Sequence, residues 1–232
     1  MKISKLMLLA TALLLSPLSR ADFIGLKGDI SYWFYDGKIE NSQPLSNNQD
    51  IDWDGAVQAS IAFEHPVPFL PNAKIKYTDL NSTTHNNSDA YGSNKVDLTN
   101  TDYILYYEIL DNIISADIGA GLANIDGDIK QYDPSQYMNY SISGNAPIVY
   151  ASVGGKLPFT GLSAKGEIIY GGDSDITLTD IQAELQYNFV QNLIVDVGAK
   201  VGYRYMNIDV DDDKTKFSTD FKGPYVGLNV HF

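Results

Sequence analysis

The sequence predicts an all-β protein: a ten-stranded antiparallel up-and-down transmembrane β-barrel, with short turns at one end and longer loops at the other. Three observations predict it. Ten segments alternate apolar and polar residues with period two, the spacing that puts them on opposite faces of a strand. The connections between them alternate short and long along the chain. Beyond the N-terminal segment there is no uncharged apolar run near the roughly 20 residues a spanning helix needs, so a membrane protein of this sequence crosses as a closed barrel.

Residues 1–21 read as a signal peptide and residues 22–232 as the barrel. Lys2 and Lys5 give a positive start, Leu6 to Leu15 form a short apolar run, and Ser19-Arg20-Ala21 supplies small residues before a cut. The first strand then covers 24–35, with Leu26, Gly28, Ile30, Tyr32 and Phe34 on one face and Lys27, Asp29 and Ser31 on the other. A polar stretch, 36–52, reads as a loop. The second strand (53–63) ends at Glu64-His-Pro-Val-Pro-Phe-Leu-Pro-Asn72, whose prolines cannot donate to a ladder. The third starts at Ala73 and gives way to a second polar loop, 81–94.

The fourth strand (95–109) sets Tyr103, Leu105, Tyr107 and Ile109 against Asp102, Tyr106 and Glu108, and Asp111-Asn112 makes a tight turn. The fifth runs through Ile114 to Leu122. Residues 124–145 read as the longest loop. The sixth strand spans 147–157, the seventh follows the turn at 158–161, and the eighth covers about 176–189. The ninth is the most regular, with Val195, Val197, Ala199, Val201, Tyr203 and Tyr205 alternating with Asp196, Gly198, Lys200, Gly202 and Arg204. After an acidic loop, 207–218, the tenth closes on Tyr225-Val-Gly-Leu-Asn-Val-His-Phe232.

The opposite, charged face carries Lys27, Asp29, Lys74, Lys76, Asp102, Glu108, Asp117, Lys156, Lys165, Glu167, Glu184, Asp196, Lys200 and Arg204. We read it as the lumen of a barrel too narrow for an apolar core, plugged by hydrogen-bonded ion pairs, because buried charges are tolerated when paired. Gly119, Gly121, Gly198 and Gly202 leave room there for long side chains. A soluble lipocalin-like barrel, apolar inside, is the main structural rival.

Composition narrows the function. Removing Lys2, Lys5 and Arg20 with the signal leaves 13 basic against 29 acidic residues, a formal charge of −16. That excludes nucleic acid as a partner, since its binding needs clustered Lys and Arg. Cysteine is absent, so stability rests on the strand network. The 16 tyrosines and 9 phenylalanines suit either a β sandwich or a barrel with aromatic girdles at the membrane interfaces.

Taken together, the opening strand from Gly25 to Trp33, the turn from Glu64 to Asn72, the Leu105-Tyr-Tyr-Glu108 segment and the Lys222 to Phe232 ending resemble an uncharacterised family of small Gram-negative outer-membrane β-barrel proteins. The terminal aromatic is similar to the signal such barrels show to the insertion machinery. The resemblance implies the barrel fold and an outer-membrane location. An up-and-down barrel that begins and ends in the periplasm puts every short turn on the periplasmic side and the longer loops outside. The expected partners are outer-membrane lipid and lipopolysaccharide, and the barrel-assembly machinery through the last strand; a monomer is expected. It assigns no reaction.

No enzyme is expected, and no catalytic, cofactor-binding or metal residues. General bases at neutral pH are most often His. His65 and His231 fall at the periplasmic end, and only His85, with Asp89 nearby, falls on the outer side. Omptin-like proteases are also ten-stranded, which keeps an outer-membrane enzyme as an alternative beside a narrow small-solute channel. Asp209 to Asp220 places acids at positions 1, 3, 5 and 12 of a calcium-loop spacing, but Lys214 stands where the sharp turn requires Gly. Gly154-Gly155-Lys156 precedes a turn rather than a helix and is no phosphate loop. The expected role is structural or surface-binding.

Overall fold

The computed structural model describes residues 25–43, 49–85, 93–133, 136–192, 194–212 and 215–232. Residues 1–21, read above as a signal peptide, lie outside them, as do Asp89 and Lys214. Ten strands form one closed antiparallel barrel in chain order, β1 pairing with β10. They are β1 Gly25–Gln43, β2 Gln49–Glu64, β3 Asn72–His85, β4 Ser93–Asp111, β5 Ile114–Asp133, β6 Gln136–Lys156, β7 Leu162–Gly172, β8 Ile176–Gln191, β9 Asp196–Asp212 and β10 Thr215–His231. The closing seam continues one residue further. Phe232 donates its N–H to the Leu26 carbonyl at 2.9 Å and accepts from the Leu26 N–H at 3.3 Å. Deleting Phe232 removes both bonds and is expected to lower the yield of folded barrel, read as the fraction that shifts mobility on heating. An unchanged fraction would refute this.

The alternation seen in the sequence builds the lower half of the barrel as expected. Leu26, Ile30, Tyr32, Ile61, Leu105, Ile118, Val149, Leu185, Val201 and Leu228 all point outward and are exposed. Tyr77, Tyr103, Tyr170 and Tyr203 mark one edge of this belt, and Phe63, Tyr107, Tyr187 and Phe189 the other. A continuous apolar exterior between two aromatic girdles is the surface a bilayer solvates and water does not. Val201→Arg, near the middle of the belt, should destabilise the barrel in lipid by about 2–4 kcal/mol. Ser143→Arg, on the exposed outer face of β6 above the belt, should stay within about 0.5 kcal/mol. Equal effects in refolding titrations would place the belt wrongly.

The upper half differs from the sequence reading. The described residues of the stretches 36–52, 81–94, 124–145 and 207–218 are strand, not irregular loop, so the strands run on above the belt as projecting hairpin arms. There the alternation reverses phase. In β9, Val201, Tyr203 and Tyr205 face out, but Met206, Ile208 and Val210 face in and are buried, with Asn207 and Asp209 outside. In β8, Ile181 and Leu185 face out while Ile176 and Leu178 face in. Water on the outside and protein on the inside demand this inversion once a strand leaves the bilayer.

The inward apolar side chains form one contiguous cluster: Trp33, Tyr35, Ile39, Ile51, Leu80, Val96, Leu98, Ile125, Ile142, Leu178, Met206, Ile208, Phe217 and Phe221 among others. Ten strands therefore do enclose an apolar core. The expectation that they could not is corrected by the rim's shape. β2 pairs with β3 only from Phe63↔Ala73 to Val57↔Asp79, and β6 pairs with β7 only from Lys156↔Ser163 to Ile148↔Gly171. Above these points the wall divides into two sheets, β3–β6 and β8–β9–β10–β1–β2, which pack their inner faces together as a small sandwich would.

Candidate functional site

The charged face closes around a polar vestibule. Twelve of the fourteen charged residues named from the sequence line a cavity of about 830 Å³ that reaches the periplasmic turns at His65, Asp111, Lys156 and Asp196. The other two, Asp102 and Arg204, are fully buried. Alternation explains the placement. Strands β2, β3, β7, β8 and β9 each turn every second polar residue inward in their lower halves, and antiparallel pairing brings Lys76 opposite Asp102 and Gln182 opposite Arg204.

Arg204 holds the deepest part of the network. Its Nε and Nη2 donate to the two Asp180 oxygens at 2.9 and 3.0 Å, and Nη1 donates to Gln58 Oε1 (2.7 Å) and Thr78 Oγ1 (2.9 Å). This fork geometry is what a guanidinium offers and an ammonium does not. Lys76 bridges Asp180 (2.6 Å) and Glu167 (3.0 Å), and Lys74 reaches Glu167 at 2.5 Å. Lys165 approaches the same carboxylate at 3.4 Å. The Gln182 amide fits between the cations when its oxygen faces them, 2.6 Å from Lys76 and 3.2 Å from Arg204 Nε. Toward the mouth, Lys200 pairs with Asp29 and with Glu184 (3.2 Å), and Lys27 pairs with Glu64 and with Glu108 (3.7 Å).

An aromatic layer separates these charges from the apolar core. The Arg204 guanidinium stacks 4.6 Å from the Trp33 ring, and Lys74 and Lys200 lie 5.0 and 5.3 Å from the rings of Tyr150 and Tyr225. Tyr106 and Tyr225 donate to Glu64 and Glu184, each at 2.8 Å. Trp33 Nε1–H donates to the Gly223 carbonyl at 3.1 Å. Gly202 earns its place in the charged face, because a Cβ there would collide with the Tyr225 ring.

Two charged members of the network, Asp180 and Glu64, are not among the fourteen charged-face residues read from the sequence. Asp180 shares its parity with Gln182 and Glu184 on β8, so extending the alternation by one residue pair finds it. Glu64 had been assigned to the Pro-rich turn but ends β2, in phase with Ser60 and Ala62.

The histidines are not brought together. His65 lies in its turn with both ring nitrogens engaged: Nδ1 accepts from the Val67 N–H (3.2 Å) and Nε2 lies 3.1 Å from the Pro71 carbonyl. An accepting Nδ1 leaves the ring proton on Nε2, which donates. His231 lines the vestibule mouth, and His85 ends β3, its side chain outside the described residues. The Asp209 to Asp220 spacing does not form one loop. It folds across the β9–β10 hairpin, where Asp209 faces Ser218 and Asp211 pairs with Lys216 at 2.6 Å. Lys156 ends β6 at the vestibule mouth, with a turn and not a helix after it.

No protein-family model matches the chain, and no curated protein does. Among solved structures it is similar to the outer membrane protease OmpT from Escherichia coli, with a TM-score of 0.54 and 11% identity over 90% of this chain and 97% of that one. The fold is that of an outer-membrane β-barrel. The attachment invasion locus protein Ail of Yersinia pestis superposes with a TM-score of 0.39 at 10% identity, covering 89% of this chain and 98% of that one. For the outer membrane protein OprG from Pseudomonas aeruginosa the values are 0.37 and 11%, covering 90% and 95%. With its closed ten-strand wall and girdled apolar exterior, this chain is an integral β-barrel of the outer membrane.

Proposed function

We propose that the protein is a non-enzymatic outer-membrane barrel whose lumen is closed and whose extracellular sandwich serves as a structural or binding surface. The observation that carries this reading is the stacked closure of the lumen. Trp33, Arg204, Asp180 and Leu178 are all fully buried, one above another, between the vestibule and the extracellular rim. A solute path would have to break a bidentate ion pair and then cross an apolar core. Outward, the belt contacts lipid and the polar faces above it contact lipopolysaccharide, while the β10 seam is the element the assembly machinery reads. The protein works as a monomer in this reading.

Single-channel recording in planar bilayers tests it. The unmodified barrel is expected to insert without stepwise conductance. Reproducible steps whose size follows salt concentration would overturn the closed lumen in favour of a small-solute channel.

A further inference from the structure

We propose that the extracellular part of β6 is a docking edge for an extended cationic peptide, which adds to the sheet as an extra strand. This deepens the surface-binding reading and rests on it. β6 is 21 residues long and its neighbour β7 only 11. Residues 136–147 of β6 pair with β5 on one side, while β7 ends at Gly172 and pairs no further than Ile148. Among the described residues, no strand pairs with the other side of this stretch.

The orientation of the free groups follows from the ladder. A Cβ at Gly171 would collide with the Pro147 carbonyl, so Pro147 turns that carbonyl toward β7. Backbone groups alternate direction along a strand, and no irregularity interrupts the β5–β6 register. Asn139, Ser141, Ser143 and Asn145 therefore also present N–H and C=O groups to the open side. Pro147, which has no N–H to offer, sits where the paired and unpaired sections meet. Such a row of unpaired groups is a template for another strand. This one stands in water: the side chains of Ser141, Ser143 and Asn145 are exposed and uncharged, so no lysine guards it.

Charge selects the occupant. The strand position next to β6 is bounded below by the turn Asp173-Ser174-Asp175, and beyond it Asp209 and Asp211 of β9 line a shallow cavity with Asp175, Glu40 and Lys216, whose single positive charge pairs with Asp211 at 2.6 Å and leaves the acids in excess. Asp211 donates its N–H to the Asp175 carbonyl at 2.9 Å, which ties turn and strand into one bank. Asp173 accepts from the N–H groups of Asp175 and Ile176, both at 2.9 Å. Those bonds hold its carboxyl below the usual range and keep it ionised. Lysine or arginine side chains of a strand laid along β6 meet this bank, whereas acidic ones meet repulsion.

The test uses the folded barrel in an uncharged detergent and a short synthetic peptide alternating lysine and valine. Fluorescence anisotropy of the labelled peptide is expected to show saturable binding, and hydrogen exchange should slow at residues 139–145. Ser143→Pro removes an N–H that has no ladder partner, so the heat shift should persist while binding is lost. Asp175→Asn with Asp209→Asn and Asp211→Asn should weaken binding on the order of tenfold. Equal binding of a glutamate–valine peptide, binding untouched by Ser143→Pro, or protection of the β6 edge through self-association of the barrel would each overturn the proposal. Conductance of the same preparation reports the closed lumen separately, so failure of one reading is not failure of the other.

Discussion

Replacing Arg204 with Ala is expected to destabilise the barrel by about 3–5 kcal/mol, measured by denaturant unfolding in lipid vesicles. The side chain is wholly buried and satisfies both Asp180 oxygens, Gln58 and Thr78. Its removal leaves Asp180 paired with Lys76 and strips Gln58 and Thr78 of their donor. The loss would reflect uncompensated buried polarity rather than the net worth of the ion pair. Arg204→Met combined with Asp180→Leu should accordingly recover much of it, since well-packed apolar replacements of buried pairs are often neutral. A loss below about 1 kcal/mol for Arg204→Ala would mean that water reaches the network, because exposed ion pairs contribute no more than that.

Trp33→Ala is expected to have a similar effect, about 3–5 kcal/mol, through the cavity it leaves and the contacts it ends. Trp33 is fully buried and packs on Tyr35 and Phe221 with ring centroids 5.1 and 6.5 Å away, while its other side covers Arg204. Because Trp33 and Arg204 touch, their substitutions should not add: the double variant is expected to fall short of the sum by about 0.5–3 kcal/mol. The chain has two tryptophans, so in Trp33→Ala the remaining emission comes from Trp53 on the outer face. Strict additivity would show that the aromatic layer and the ion network are independent, contrary to their stacking.

Much of the barrel was legible because a bilayer imposes a simple rule on every strand. Ile30, Leu105, Leu185 and Val201 had to face lipid, and residues one step away had to face the lumen, so period two located the belt and most of the vestibule lining. The upper half was misread for a reason of the same kind. Stretches such as Ile208-Asp-Val-Asp and Ile125-Asp-Gly-Asp still alternate, but with the opposite phase and with Asp, Asn and Ser on the outer face. Those residue types signal loops when composition is weighed ahead of parity. A change of phase within one unbroken alternation marks the point where a strand passes from lipid into water.

His65 and the Asp209 to Asp220 spacing show the opposite limit. In each, the contact that forms depends on how the chain folds back rather than on spacing: the Pro71 carbonyl lies against His65 across its turn, and the Lys216 ammonium meets Asp211 across a hairpin.

By itself the sequence determined the strand count, the antiparallel up-and-down order and the lipid-facing residues, because alternation and turn chemistry are local and each strand carries them separately. Only the tertiary structure decided which charges meet, that the rim divides into two packed sheets, and that β6 keeps an open edge. Those outcomes depend on register and on the unequal lengths of neighbouring strands. Lys76 finds Asp180 and Glu167, and Arg204 finds Gln58, through the closure of the wall, which brings together residues separated by 91 to 146 positions in the chain.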